Sequence, residues 1–136
     1  MLVSRIMRKP VAIIAPETSV QTAAALMANL EVGGLLVCDN DRPVGFVTDR
    51  DIVVRWATKV GCDGPVAPIM TPSVVTCRAD QTVEQAAYQM SDLRVRRLVV
   101  LGAEDQVVGI VTLGDIANDA SEELAGQTLG EIVDAR

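Results

Sequence analysis

Histidine is absent from this 136-residue chain, which removes the commonest metal ligand and the commonest general base near neutral pH. Aromatic residues are nearly as scarce, with Phe46, Trp56 and Tyr88 the sole representatives, so a ligand stacked on a ring is not expected. Cys38, Cys62 and Cys77 are too far apart for a C-x-x-C site and odd in number for a disulfide framework. They read as small hydrophobes. No apolar run is long enough for a membrane span. Arg5, Arg8 and Lys9 near the start are not followed by the apolar stretch of a signal peptide, and the expected location is cytoplasmic. Basic residues number 12 against 18 acidic ones, a net charge of −6, which argues against a nucleic-acid binder, since counterion release needs a basic face. No nucleophile and base can be paired, so neither an enzyme nor a metal ligand set is expected.

What is present is a duplication. Gly45-Phe46-Val47-Thr48-Asp49-Arg50-Asp51-Ile52 returns sixty-four residues later as Gly109-Ile110-Val111-Thr112-Leu113-Gly114-Asp115-Ile116. Ile6-Met7 returns as Ile69-Met70, and Val20, Ala23, Ala24, Met27 and Leu30 return as Val83, Ala86, Ala87, Met90 and Leu93, both at an offset of sixty-three. One extra residue therefore lies in the second copy, in the polar stretch between Gly102 and Val108, where a turn tolerates insertion. With 49% of residues apolar the chain can bury a good core, whereas a copy of about sixty residues is marginal alone. The copies are expected to pack together, as repeat 1 over residues 1–62 and repeat 2 over 63–118, followed by an acidic, partly helical tail over 119–136.

Each copy shows the same element order. Val11 to Ile14 and Val74 to Cys77 are short apolar runs that predict strands. The i, i+3, i+4, i+7 spacing of Val83, Ala86, Ala87, Met90 and Leu93 predicts a helix, opened by a Thr82/Gln85 capping box. In the first copy Ala25, Leu26 and Ala28 add apolar surface on other sides of that helix, which suggests a subunit interface. Gly34 to Cys38 and Arg97 to Leu101 predict strands that turn into Pro43–Thr48 and Gln106–Thr112 as hairpins. A final helix is expected from Asp49 to about Val60, with further apolar residues at Val53, Trp56 and Ala57, and from Leu113 to about Leu124. The fold class is α/β (α+β): two β-α-β-β-α units, packed through their sheets with pseudo-two-fold symmetry, with clefts between them.

The repeated G-x-x-T-x-x-D has a definite chemistry. Thr48 closes a strand and opens a helix, so its hydroxyl and the first-turn N–H groups face an open end that suits an anion. Asp51, three residues on, could accept hydrogen bonds from the vicinal hydroxyls of a ribose, and Gly45 lets a ligand approach the backbone. Phosphate and ribose together describe a nucleotide. A second reading stands beside it: Thr-x-x-Asp is itself a capping box and needs no ligand.

With two such repeats, each ending in G-x-x-T-x-x-D, the chain from roughly Val3 to Ala117 resembles a cystathionine β-synthase (CBS) domain pair, or Bateman module. The resemblance implies a stand-alone regulatory protein that binds AMP, ADP, ATP or S-adenosylmethionine between its repeats, with no catalytic cofactor. It also implies a homodimer built through the helices and an unidentified protein partner. Carried over residue by residue, it puts ribose on Asp51 and Asp115, and phosphate or ribose on Thr48 and Thr112, beside Gly45 and Gly109. The base would lie near Ile14, Ala15, Gly34 and Leu35 in one site and near Thr76, Cys77, Arg97 and Leu98 in the other.

The copies differ in charge. Gly33-Gly34 is replaced by Arg96-Arg97, with Arg94 nearby, and Asp49-Arg50 by Leu113-Gly114. Because a guanidinium grips phosphate bidentately, Arg96, Arg97 and Arg50 are the phosphate candidates, with ion pairs to Asp92 or Asp49 as the competing use. Asp49 weakens the first motif for polyphosphate. The alternative function is a dimeric interaction module that needs no ligand. From Asp115 onward there are six acids and one base, Arg136. Leu124, Leu129, Ile132 and Val133 fall at loosely helical spacing there, which Gly126 and Gly130 weaken.

Overall fold

The computed structural model describes residues 1–58, 63–72 and 74–133. Val60, Cys62 and Arg136, all named above, lie outside the described residues. The chain divides into two compact units, one of residues 12–74 and one of residues 1–11 with 75–136.

The first unit, residues 12–74, holds β1 (Ile13–Ile14), α1 (Val20–Leu30), β2 (Gly34–Asp39), β3 (Arg42–Thr48) and α2 (Asp49–Asp51), which continues as a π-helical turn over Ile52–Trp56. Its sheet has the order β1-β2-β3, parallel then antiparallel. The hairpin turns on Asn40 and Asp41, whose φ values of 49° and 64° fit the two-residue turn that matches strand twist. Helix α1 starts at Ser19, whose side chain accepts the Thr22 N–H. It stops at left-handed Glu31, after which Val32 N–H reaches back to the Met27 carbonyl at 3.1 Å.

The second unit repeats this with β4 (Thr76–Arg78), α3 (Val83–Leu93), β5 (Arg97–Leu101), β6 (Val107–Thr112) and α4 (Leu113–Asp119), then adds α5 (Glu122–Val133). Its sheet order is β4-β5-β6. Thr82 and Gln85 form the expected capping box, and Arg94 ends α3 in the left-handed conformation that Glu31 adopts in the first unit. The extra residue falls in the β5–β6 loop. Here Leu101 pairs with Val107, whereas Cys38 pairs with Pro43 in the first hairpin.

The mixed α/β architecture with two repeated sheets is as expected, and the compact units differ from the linear repeats in their lead-in segments. Val3 and Ser4 donate backbone hydrogen bonds to Gln81 and Ala79, and Val83 N–H to Met1, so the chain start belongs with the second copy. Val66 and Ala67 make the equivalent bonds to Thr18 and Pro16 in the first. Buried Val3 and Val66 anchor these two segments. Each unit is thus closed by a lead-in segment that local periodicity cannot assign.

Two further expectations need correcting. Leu30 and Leu93, placed on the apolar helix faces, are 51% and 48% exposed, because each lies on the last turn just before the left-handed residue. The expected helix from Leu113 to Leu124 breaks near Ala120. Ser121 then accepts the Leu124 N–H at 3.1 Å and caps a new twelve-residue helix. Helix α5 packs on α3 and α4 through Leu124, Ala125 and Ile132. Gly126 and Gly130 are exposed, with nothing near a would-be Cβ, so they cost helix propensity without removing a contact.

Candidate functional site

Each G-x-x-T-x-x-D element runs from the last strand of its unit into the following helix. Thr48 and Thr112 sit in extended conformation at the joint, and both form complete capping boxes. Thr48 Oγ1 accepts the Asp51 N–H at 3.1 Å, and Asp51 Oδ2 accepts the Thr48 N–H at 3.0 Å. The corresponding distances for Thr112 and Asp115 are 3.1 and 2.9 Å. Asp51 and Asp115 are only 8% and 3% exposed, so a burial that would otherwise disfavour a charge is offset by hydrogen bonds and the helix N-terminus. In both motifs Oδ2 is thus committed to the backbone.

The Oδ1 atoms differ. Asp51 Oδ1 lies 3.5 Å from Thr71 Oγ1 and 3.9 Å from Arg55 Nη1. Asp115 Oδ1 accepts a 2.7 Å hydrogen bond from Arg8 Nε. That bond, reinforced by the carboxylate charge, raises the Arg8 guanidinium above its ordinary pKa. Arg8 and Thr71 were not singled out as site residues, yet each follows the repeated Ile-Met pair, and that echo could have pointed to them.

The motif glycines serve a different neighbour from the one expected. A Cβ on Gly45 would lie 2.7 Å from the Thr71 carbonyl oxygen, and one on Gly109 would lie 2.7 Å from Met7 Sδ and 3.1 Å from the Arg8 carbonyl oxygen. The close approach is made by the chain's own lead-in segments, which bridge Phe46 with Thr71 and Ile110 with Arg8.

The other candidates divide by burial. Gly34 pairs directly with Thr48, and Arg97 with Thr112, which sets the start of the middle strand beside each motif threonine. Ala15 and Thr76 are half-buried. By contrast Leu35 and Leu98, expected near a base, are 1% and 0% exposed and belong to the two cores, as do Ile14 and Cys77. Their side chains fill the space behind the sheet. Burial pushes the Cys77 thiol up to about 11 and also raises Cys38, so both are poor nucleophiles at neutral pH. Arg50 and Arg96 are exposed and Arg97 half-buried. In the second unit a cavity of about 520 Å³ brings Arg96 and Arg97 together with Thr112 and Gly114, and Glu122, Gly126 and Leu129 of α5 form another part of its wall. Among the described residues no cluster of three or more acidic or cysteine side chains could hold a metal, and no helix is long and apolar enough to cross a membrane.

A doubled strand–helix–hairpin–helix unit with a capped Thr-x-x-Asp at the same joint in each copy defines a tandem-repeat α/β fold. The CBS domain family model matches residues 3–57 and 66–122, and the chain belongs to the CBS domain family as a tandem pair. The CBS domain-containing protein YhcV of Bacillus subtilis is 37% identical over 129 residues, 93% of this chain and 91% of that protein. Among solved structures, the CBS domain protein PAE2072 from Pyrobaculum aerophilum, complexed with AMP, is similar with a TM-score of 0.78 and 26% identity. The match covers 93% of this chain and 99% of that one. The CBS domain pair of protein MJ0100, in complex with 5-methylthioadenosine and S-adenosyl-L-methionine, is similar at a TM-score of 0.72 and 29% identity, covering 93% and 98%.

Proposed function

We propose that this chain is a stand-alone regulatory CBS pair that binds an adenosine derivative, AMP, ADP, ATP or S-adenosylmethionine, and through it modulates a protein partner or its own assembly. Its output is regulation and not catalysis. The observation that carries this reading is the repeated motif carboxylate, buried and oriented by its threonine so that Oδ2 is fixed and Oδ1 turns away from the cap. The AMP bound to PAE2072 supports the choice of ligand. Asp51 and Asp115 would accept the ribose hydroxyls, and Thr48 and Thr112 would meet phosphate or ribose beside Gly45 and Gly109. Arg50, Arg96 and Arg97 would meet phosphate, and Ala15, Gly34 and Thr76 would border the base.

A ligand that binds only the folded chain adds about 2.7 kcal/mol of stability at a hundred times its Kd. Millimolar AMP, ADP, ATP or S-adenosylmethionine is therefore expected to raise the melting temperature of the nucleotide-stripped protein by several degrees. Four unchanged melting curves would contradict the proposal.

The second reading, an interaction module that needs no ligand, is favoured by the completeness of both capping boxes. Self-association belongs to either. Ala24, Ala25 and Ala28 of α1 are exposed, and after the first motif Val53 and Val54 are 65% and 54% exposed. In the second unit α5 covers the equivalent helices. The expected outcome is a homodimer joined through the α1 face, with sedimentation giving twice the 14.4 kDa chain mass. A stable monomer at micromolar concentration would remove that part of the account.

A further inference from the structure

The two copies act as internal controls for each other, and they differ in the lead-in residue that faces the motif carboxylate. Residues 8 and 71 follow the repeated Ile-Met pair and hold the same backbone place. Arg8 N–H donates to the Ile110 carbonyl at 2.8 Å and Ile110 N–H returns to Arg8 at 3.1 Å; for Thr71 and Phe46 the distances are 2.7 and 2.9 Å. Each side chain then reaches the Oδ1 atom of its unit's aspartate. Thr71 does so with a neutral hydroxyl at the long limit of a hydrogen bond, 3.5 Å, and Arg8 with a guanidinium N–H at 2.7 Å.

We propose that Arg8 is a built-in latch on Asp115, which holds the one carboxylate oxygen not used by the helix cap and makes the Asp51 motif the working ligand site. This rests on the adenosine-binding function proposed above and ranks its two sites. A vicinal diol needs acceptor capacity on the carboxylate, and Oδ2 already accepts the threonine N–H in both motifs, which leaves Oδ1 the freer oxygen. At Asp51 the diol displaces a stretched contact from a neutral hydroxyl, and the Arg55 guanidinium, 3.9 Å away, is beyond hydrogen-bond distance. At Asp115 it must compete with a short charge-assisted hydrogen bond, roughly twice as strong as a neutral one. The Arg8 side chain is 70% exposed, so it can swing into solvent without leaving a buried charge of its own. The latch therefore weakens the second site without abolishing it.

The test exchanges the two residues in the full-length, nucleotide-stripped chain and titrates AMP by calorimetry, with melting curves to establish that each variant is folded. Asp51→Ala leaves only the Asp115 motif, and adding Arg8→Thr to it is expected to tighten AMP binding there by about tenfold. The reciprocal Thr71→Arg in the otherwise wild-type chain is expected to weaken its strong site by about tenfold. Unchanged or weaker binding in the Asp51→Ala, Arg8→Thr chain would overturn the latch, a loss meaning that Arg8 is itself a ligand contact. An unaffected strong site in Thr71→Arg would overturn it as well, and does not depend on how well the Arg8 variant folds. If the wild-type chain and all variants give no heat, the adenosine reading fails and the latch fails with it. If wild type binds AMP and the exchanges do nothing, the latch alone fails.

Discussion

Leu98→Ala is expected to lower the stability of the second unit by about 3–4 kcal/mol, near the middle of the range for burying and then deleting a leucine side chain. Leu98 is fully buried in a cluster with Met90, Val100, Val111 and Ile116. Regular β5–β6 pairing, with Leu98 opposite Val111, holds the backbone on that side. The site has little freedom to collapse, so the lost contacts are joined by a residual cavity. Leu35, 1% exposed in the first unit, should behave alike. Urea denaturation of the full chain measures this. A residue that lined a base pocket would instead leave the unfolding midpoint in place and weaken the ligand. A loss below about 1 kcal/mol would show that Leu98 is not a core residue.

Much of the fold was legible because its signals are local. The Val20 and Val83 helices follow from apolar spacing, the Thr82/Gln85 cap from the identity of two residues, and the hairpins from paired apolar runs around a short polar stretch. The position of the motif at a strand–helix joint was legible too, along with its capping geometry. What was not legible depends on contacts between residues far apart in sequence. Arg8 meets Asp115 across 107 positions, and nothing within one window of sequence brings them together. The burial of Leu35 and Leu98 was missed for a related reason. An apolar strand facing a core and one bordering a ligand have the same composition, and only the packing of α1 or α3 behind them decides. Helix α5 was underrated because its glycines were counted against it, although both fall on its solvent side.

Asp51→Ala is expected to weaken AMP binding at the first motif by about a hundredfold or more, since two charge-assisted hydrogen bonds from a ribose diol are lost, each ordinarily about 1.5–3 kcal/mol. Losing the reciprocal half of the capping box, the Thr48 N–H bond to Asp51 Oδ2, adds a stability loss of about 1 kcal/mol, which leaves the unit folded. The two effects separate cleanly. A helix cap without a ligand role would give the stability loss alone, with AMP affinity unchanged, whereas a ribose site gives both. Thr48→Ala is a useful companion, because it removes the hydroxyl that accepts the Asp51 N–H at 3.1 Å while leaving the carboxylate in place.

The most direct measurement of the central claim is calorimetric titration of the nucleotide-stripped, full-length chain with AMP, ADP, ATP and S-adenosylmethionine, beside its Asp51→Ala variant. The account expects saturable binding of at least one of the four to the wild-type chain, dominated by one strong site that disappears in the variant. A folded wild-type chain that binds none of them would contradict it and leave the two Thr-x-x-Asp elements as helix caps, and a variant that binds as tightly as wild type would contradict Asp51 as the working site.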